Sequence, residues 1–313
     1  MEWREVAERV ARGIASGSPE EGERLPGVRK LAREAGCSAG TAARAYAALR
    51  DAGLIAGAQR TSFAVAPGAA ARAGSWPVAG GAAGGPGAGV LRVAGSDDPA
   101  LDLLLRAAGS AATLAPGPRG SVPGLGQLAH GSADAAAVHL LDVAGGRWNE
   151  GFARSALPGQ AVVLVHLWQR EQGLVVPRGN PKGVRAVADL DGKRLAWRAP
   201  GAGSRLLLER LMLQEGMRPR PELGVQADSH LAVATAVAAG TADAGLAVRA
   251  VAESLGLDWI PVATEWFELA MAGPTRAAAE PLLDTLASTE VQERLGRLPG
   301  YDLTMTGDVR SAR

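Results

Sequence analysis

The chain has 313 residues, 47% hydrophobic and 21% charged, with 33 Lys/Arg against 32 Asp/Glu for a formal net charge of +1. That is material for at least two cores, and the near-neutral total excludes wholesale polyanion binding, so any nucleic-acid contact has to come from a local basic face. A single cysteine, Cys37, excludes an internal disulfide and fits a reducing compartment. MEWREVAERV is charged from its second residue, and no apolar run reaches the roughly 18 residues of a membrane span. The expectation is a cytoplasmic protein with no membrane segment.

The first 65 residues carry a helix-turn-helix pattern. Glu5 to Ser16 places Val6, Val10 and Ile14 at helical spacing, and PGVRKLAREAG puts Val28, Leu31 and Ala32 on one face before Gly36. CSAGTAARAYAALRDAGLI then opens on Ser38, a strong N-cap residue, and runs through Ala42, Ala45, Tyr46 and Leu49 to a stop at Gly53. RTSFAV supplies a wing strand behind these two short helices. Residues 1–65 hold ten Lys/Arg and eight Asp/Glu, the acids clustering in the first helix and at Glu20 to Glu23. Arg24, Arg29, Lys30, Arg33 and Arg44 fall on the helix-turn-helix itself, so the basic face is local.

The run ERLPGVRKLAREAGCSAGTAARAYAALRDAGLI resembles the winged helix-turn-helix head of the GntR family, marked by Leu-Pro-Ser-x-Arg-x-Leu-Ala, Ser-x-x-Thr and Ala-Tyr-x-x-Leu-x-x-x-Gly-Leu-Ile. Gly27 stands where the family has Ser, and the wing AQRTSFAV lacks the usual Gly-x-Gly turn. The resemblance implies that Arg29, Ser38, Gly40, Thr41 and Arg44 lie at the DNA surface. Ser38 and Thr41 at a helix start suit phosphate oxygens, and Arg44 one turn in suits a guanine edge.

Residues 66–89, rich in Gly, Ala and Pro, read as a flexible linker. Beyond it, short apolar strands alternate with helices, the pattern of an α/β body over residues 90–313. Two echoes share nearly the same offset. LAHGSADAAAV and VAAGTADAGLAV place Asp134 and Asp243 109 positions apart; LRVAGSDDPALDLLLRAAG and LAWRAPGAGSRLLLERLMLQEG place Ser96 and Ser204 108 apart. They predict two lobes of one design around a shared cleft. AVVLVHLWQREQGLVVPRGNP and DWIPVATEWFELAMAGP are the expected crossings between lobes, forming a hinge, and the C-terminal helices are expected to return to the first lobe.

This body resembles the periplasmic-binding-protein superfamily, type II, in particular the substrate-binding-like domain fused to helix-turn-helix heads and to molybdopterin-biosynthesis-type proteins. The resemblance places Ser96, Asp98, His139, Asp142 and Asn149 from the first lobe, and Gly203, Ser204, Arg205, Ser229 and His230 from the second, at a ligand. Ser204 and Arg205 are the expected grip on a carboxylate or oxyanion, while Asp97 and Asp98 oppose an anion at the first helix start. Trp148 and Trp197 offer stacking faces or plain core. Asp134 and Asp243 are assigned structural turns.

The fold class is therefore α/β, an N-terminal winged helix-turn-helix domain plus a two-lobed periplasmic-binding-protein type II-like domain. The function expected is a ligand-responsive transcription regulator, binding operator DNA as a homodimer and sensing a small polar, molybdate-like or pterin-related molecule. A degenerate ligand-free body, or an enzyme using the cleft, is the competing reading. The sequence carries no Gly-x-Ser-x-Gly elbow, P-loop or zinc spacing, and calls for no cofactor, metal or catalytic residue.

Overall fold

The computed structural model describes residues 3–51, 53–58, 62–73, 90–142 and 146–312, in two compact units, Met1–Gly85 and Pro86–Arg313. In the first unit, α1 (Trp3–Ala15) buries Val6, Ala7, Ala11 and Ile14. Helix α2 (Val28–Ala35) ends at Gly36, whose φ of 60° is the left-handed conformation that glycine adopts without strain. Helix α3 (Ala39–Asp51) starts where Ser38 Oγ accepts the Thr41 N–H at 3.0 Å, the expected cap. Tyr46 fixes α3 against the chain before α2, its hydroxyl donating to the Pro26 carbonyl at 2.6 Å; burial, then the Glu34 charge, pushes its pKa up to about 12.

The wing is a hairpin rather than one strand: β1 (Ile55–Ala58) pairs antiparallel with β2 (Ser62–Val65). Its connecting residues 59–61 lie outside the described residues. The expected linker begins with structure, because α4 (Ala69–Ala73) packs on α1 and buries Ala69 and Ala73 in the head core. Alanine is a strong helix former and small enough to fit there. The folded head thus runs to Ala73 instead of residue 65; the remainder of the expected linker, 74–89, lies outside the described residues.

The second unit starts with β3 (Leu91–Gly95), α5 (Pro99–Ala108), β4 (Ala112–Leu114), α6 (Ser121–His130) and β5 (Ala135–Val138). A small ribbon of β6 (Leu141–Asp142) and β7 (Arg147–Trp148) and the short α7 (Glu150–Ala156) lead into β8 (Val162–Val176). That strand delivers the chain to β9 (Leu195–Arg198), α8 (Gly203–Gln214), β10 (Val225–Ala227), α9 (His230–Ala238), β11 (Ala244–Val248) and α10 (Arg249–Ser254). β12 (Asp258–Ala272) returns it, and α11 (Glu280–Ala287) and α12 (Thr289–Gly296) pack on α5 of the first lobe. Finally β13 (Tyr301–Asp302) and β14 (Val309–Ala312) both pair with β8.

The sheet order, β10-β9-β11-β8-β12-β5-β3-β4, is symmetric about its centre. Three parallel strands flank each side of the antiparallel β8–β12 pair. The two predicted crossings are these long strands; on either side one echo is the β3–α5 and β9–α8 units and the other the α6–β5 and α9–β11 corners. Asp134 and Asp243 have the expected structural role. Asp134 accepts from the Arg92 N–H at 2.8 Å and Nε at 3.0 Å, and its own N–H donates to Arg92 O at 2.8 Å. Asp243 repeats this with Arg194, its Oδ2 accepting the Arg194 N–H at 2.9 Å and its own N–H donating to Arg194 O at 2.6 Å. Each staples a helix-to-strand corner to the first strand of its lobe.

Candidate ligand cleft between the lobes

At the centre of the hinge, Arg170 of β8 lies directly opposite Glu265 of β12, between two register shifts at Pro261/Ala263 and Phe267/Glu268. Both are buried, and Glu265 Oε2 is 3.3 Å from Arg170 Nε and Nη2. The same oxygen accepts from Gln172 Nε2 at 2.9 Å and lies 3.0 Å from His139 Nδ1. Burial works against the Glu265 charge, and His139, Arg170 and Gln172 more than offset it, holding the carboxyl below its usual range. Burial pushes His139 down, and Glu265 opposes that only in part.

The first lobe brings Ser96, at the end of β3, onto Ser121 at the start of α6, Oγ to Oγ at 2.7 Å. The His139 N–H donates to Ser121 Oγ at 3.2 Å, and Arg119 Nη2 to the Ser96 carbonyl at 3.0 Å. The second lobe presents Arg198 from the end of β9, Gly203 and Ser204 from the start of α8, and Ser229 and His230 from the start of α9. The lobes touch. Val122 N–H donates to Gly201 O at 3.2 Å, and a Cβ on Gly203 would stand 2.5 Å from His139 Cε1. Asp97 Oδ2 accepts the His230 backbone N–H at 2.7 Å and lies 3.6 Å from Arg198 Nη1.

Between these faces, Ser204 Oγ, both His230 ring nitrogens, Arg198 Nε, Arg119 Nε and Gln172 Oε1 are buried without a hydrogen-bond partner. Orphaned polar atoms normally cost stability when buried, so a cluster of them marks a place built for polar contact rather than for packing. Burial, then the Arg198 and Arg170 charges, pushes His230 well below its ordinary value and keeps it neutral. Arg198 is brought down to about 10 by burial, against the opposing pull of Asp97.

Of the expected ligand residues, Ser96, His139, Gly203, Ser204, Ser229 and His230 come together at this cleft. Three do not present themselves there. Asp98 caps α5, its Oδ1 accepting from Ala100 and Leu101 N–H at 2.8 and 3.0 Å, and its Oδ2 is taken by Arg170 Nη1 and by the Tyr301 hydroxyl at 2.9 Å. Asn149 sits in the left-handed region at φ 64° and clamps structure, accepting from Leu140 N–H at 2.6 Å and donating to Glu268 at 2.8 Å. Arg205, the expected grip, pairs with Glu209 one turn on at 2.7 Å and donates to the Arg198 carbonyl at 3.2 Å. Nor is Ser204 a cap: Ala202 occupies that position, which leaves the hydroxyl free for the cleft. Ser229 does cap α9, accepting from Ala232 N–H at 3.0 Å. Asp142 lies on β6 of the small ribbon, and Trp197 is core, 2% exposed.

Arg170, Glu265, Arg198, Arg119, Ser121 and Gln172 were missed by sequence reasoning. The signal was a polar island, QREQ, inside an otherwise apolar strand, matched by TEWFE in the returning one.

On the head, Gly27, Val28, Arg29, Lys30 and Arg33 with Ala39, Gly40 and Ala43 line an open surface depression of about 770 Å³. Arg29 and Gly40 share this face, and Ser38 Oγ and Thr41 Oγ1 lie 2.8 Å apart at the start of α3. Arg44 is elsewhere: its guanidinium lies 4.8 Å from the Trp3 ring centroid, over α1. Among the described residues no cluster of three or more His, Cys, Asp or Glu is placed to hold a metal, and no helix is long and apolar enough to cross a membrane.

Comparison with known proteins agrees with this architecture. Residues 103–288 match the PBP superfamily domain and residues 3–65 the bacterial regulatory proteins, gntR family. The uncharacterized protein YvgK of Bacillus subtilis (strain 168) is 29% identical over 195 residues, 61% of this chain and 63% of that protein. The match thus spans less than two thirds of that relative's length. Among solved structures, a histidine kinase sensor domain with similarity to periplasmic binding proteins is 15% identical, with a TM-score of 0.45, over 68% of this chain and 96% of its own. PhnD1 from Prochlorococcus marinus (MIT 9301), in complex with methylphosphonate, is 16% identical, with a TM-score of 0.46, over 68% and 92%. The chain belongs to the PBP superfamily through its two-lobed body, preceded by a gntR-family helix-turn-helix domain over residues 3–65.

Proposed function

We propose that this protein is a cytoplasmic, effector-responsive transcription regulator, whose head binds operator DNA as a homodimer and whose body closes on a small polar or oxyanionic molecule. The observation that carries the sensing half is the buried cluster of unpartnered Ser204, His230, Arg198 and Arg119 atoms between two lobes on a two-strand hinge. Such a hinge closes around ligands by small rotations, and an effector acts only through its different affinity for the two arrangements. The exposed Arg29, Lys30 and Arg33 supply the local positive face that phosphate contacts require.

The test is a thermal-shift screen of the full chain against oxyanions, amino acids, sugars and pterins, followed by DNA-binding titrations on fragments selected from a random pool. A true effector at a hundredfold excess over its Kd stabilises the body by about 2.7 kcal/mol and changes DNA affinity. A screen in which nothing shifts the body favours a ligand-free scaffold, and a ligand that leaves DNA affinity unchanged removes the regulatory link.

A further inference from the structure

Asp97 is set apart from the other acids of the first lobe and hinge at the cleft. Asp98 beside it is consumed by its own helix cap, Arg170 and Tyr301, and Glu265 by the hinge. Asp97 instead reaches from the first lobe to the second, where its Oδ2 accepts the first N–H of the nine-residue helix α9 and faces Arg198. Those two groups form a cradle for an anion: a helix N-terminus carries unpaired amide donors and a partial positive charge, and Arg198 adds a full one. On the same lobe Ser204 Oγ, the His230 ring nitrogens and Arg198 Nε are buried, at most 4% exposed by residue, and unpartnered.

We propose that Asp97 is a built-in competitor for the effector's anionic group, holding the second-lobe cradle with the chain's own carboxylate until an oxyanion or carboxylate displaces it. This rests on the reading of the cleft as an effector site and adds the effector's chemistry and its threshold. Three consequences follow from charge and geometry. An anion arriving at the α9 N-terminus has to move the Asp97 carboxylate aside, since like charges at one donor set exclude each other. The released Arg198 guanidinium, with the already unpartnered Ser204 hydroxyl and His230 imidazole, supplies the further donors that a tetrahedral oxyanion takes. The apparent affinity is reduced by the fraction of molecules with the latch in place, about tenfold if that fraction is about nine-tenths.

Hydrogen exchange and calorimetry on the full chain test this, using wild type, Asp97→Asn and Asp97→Ala with sulfate, phosphate and molybdate as separate probes. The expected result is faster exchange of the His230 amide in Asp97→Ala, slowed again by saturating anion, with unchanged exchange in the β5 and β11 core as the folding control. Asp97→Ala is also expected to bind at least one probe about tenfold more tightly than wild type, and Asp97→Asn, which keeps an acceptor but no charge, to fall between. Unchanged exchange at His230 overturns the proposal, as does equal or weaker anion binding by Asp97→Ala, including no binding of any probe. A neutral or cationic molecule that shifts wild type while the variants give those results leaves the sensor reading standing and removes only the role of Asp97.

Discussion

Arg170 and Glu265 stand opposite each other on the two strands that join the lobes, each buried, and each tied to a different loop of the first lobe. Arg170 holds Asp98, which caps α5 of the first lobe, and Glu265 receives Gln172 and borders His139. The hinge is therefore wired to the first lobe's ligand-facing loops. A rotation about β8 and β12 changes the spacing of charges in a dry environment, where such changes carry more energy than at the surface.

Removing one partner from such a network leaves an uncompensated buried charge. Arg170→Met strands both Asp98 and Glu265, and the expected loss of body stability is about 3–5 kcal/mol in a urea titration of the full chain. Arg170→Met/Glu265→Gln is expected to recover part of it by neutralising one stranded carboxylate. A single-variant loss under about 1 kcal/mol, typical of an exposed pair, would show that water reaches the hinge.

Gly203 is a second point where geometry makes a sharp demand. A Cβ there would lie 2.5 Å from the buried His139 ring, nearer than any real contact. Gly203→Ala is expected to push the lobes apart while each lobe stays folded. Amides of residues 120–123 and 201–204 would then exchange faster, with a stability loss of about 1–3 kcal/mol, the usual cost of overpacking. Unchanged exchange there would mean that His139 moves aside instead.

Local rules carried much of this structure in the sequence. Ser38 before a helix, Gly36 after one, and the paired Ala-Asp-Ala corners each act within a few residues, so spacing alone exposes them. The duplication of those corners then revealed the lobes. Arg205 and Asp98 are engaged in ways that local chemistry already indicated: Glu209 follows Arg205 at the i+4 spacing of a helical ion pair, and Asp98 precedes Pro99 as an N-cap precedes N1. Arg170 and Glu265 are different. They lie 95 positions apart, and only the register of two long strands brings them face to face.

The buried histidines give the body a pH dependence of definite sign. His230 is pushed well below its ordinary 6.5, by burial first and then by Arg198, and His139 is shifted the same way by burial. The unfolded chain therefore binds more protons than the folded one once the pH falls below about 6.5. Stability present above that pH is lost as it drops toward the folded values, at up to about 1.4 kcal/mol per pH unit for each histidine. Urea titrations between pH 7 and 5 should show this fall. His230→Leu removes one titrating group and is expected to flatten the slope by up to that amount; an unchanged slope would show that His230 charges in the folded state.

The head poses a choice between two arginines that the sequence treats alike. Arg29 is exposed on the depression shared by α2 and the start of α3, beside Lys30, Arg33 and Gly40. Arg44, one turn further along α3, lies over the Trp3 ring on the side facing α1. A helix turns about 100° per residue, so Ala39 and Ala43 lie about 40° apart around α3 while Arg44 lies about 100° beyond Ala43, toward α1. Arg29→Ala is therefore expected to weaken DNA binding by about 1–3 kcal/mol if it contacts a base, with a relaxed sequence preference at one position. If it contacts phosphate, the loss is uniform across sequences and the salt dependence falls by about one ion. Arg44→Ala is expected to leave DNA affinity within twofold and to cost the head about 0.5–1 kcal/mol from the lost cation–aromatic contact. Fluorescence anisotropy on a DNA fragment selected by the full chain, run at several salt concentrations, separates these outcomes. The reverse pattern, with Arg44→Ala losing affinity and Arg29→Ala not, would place the DNA against the α1 side of α3.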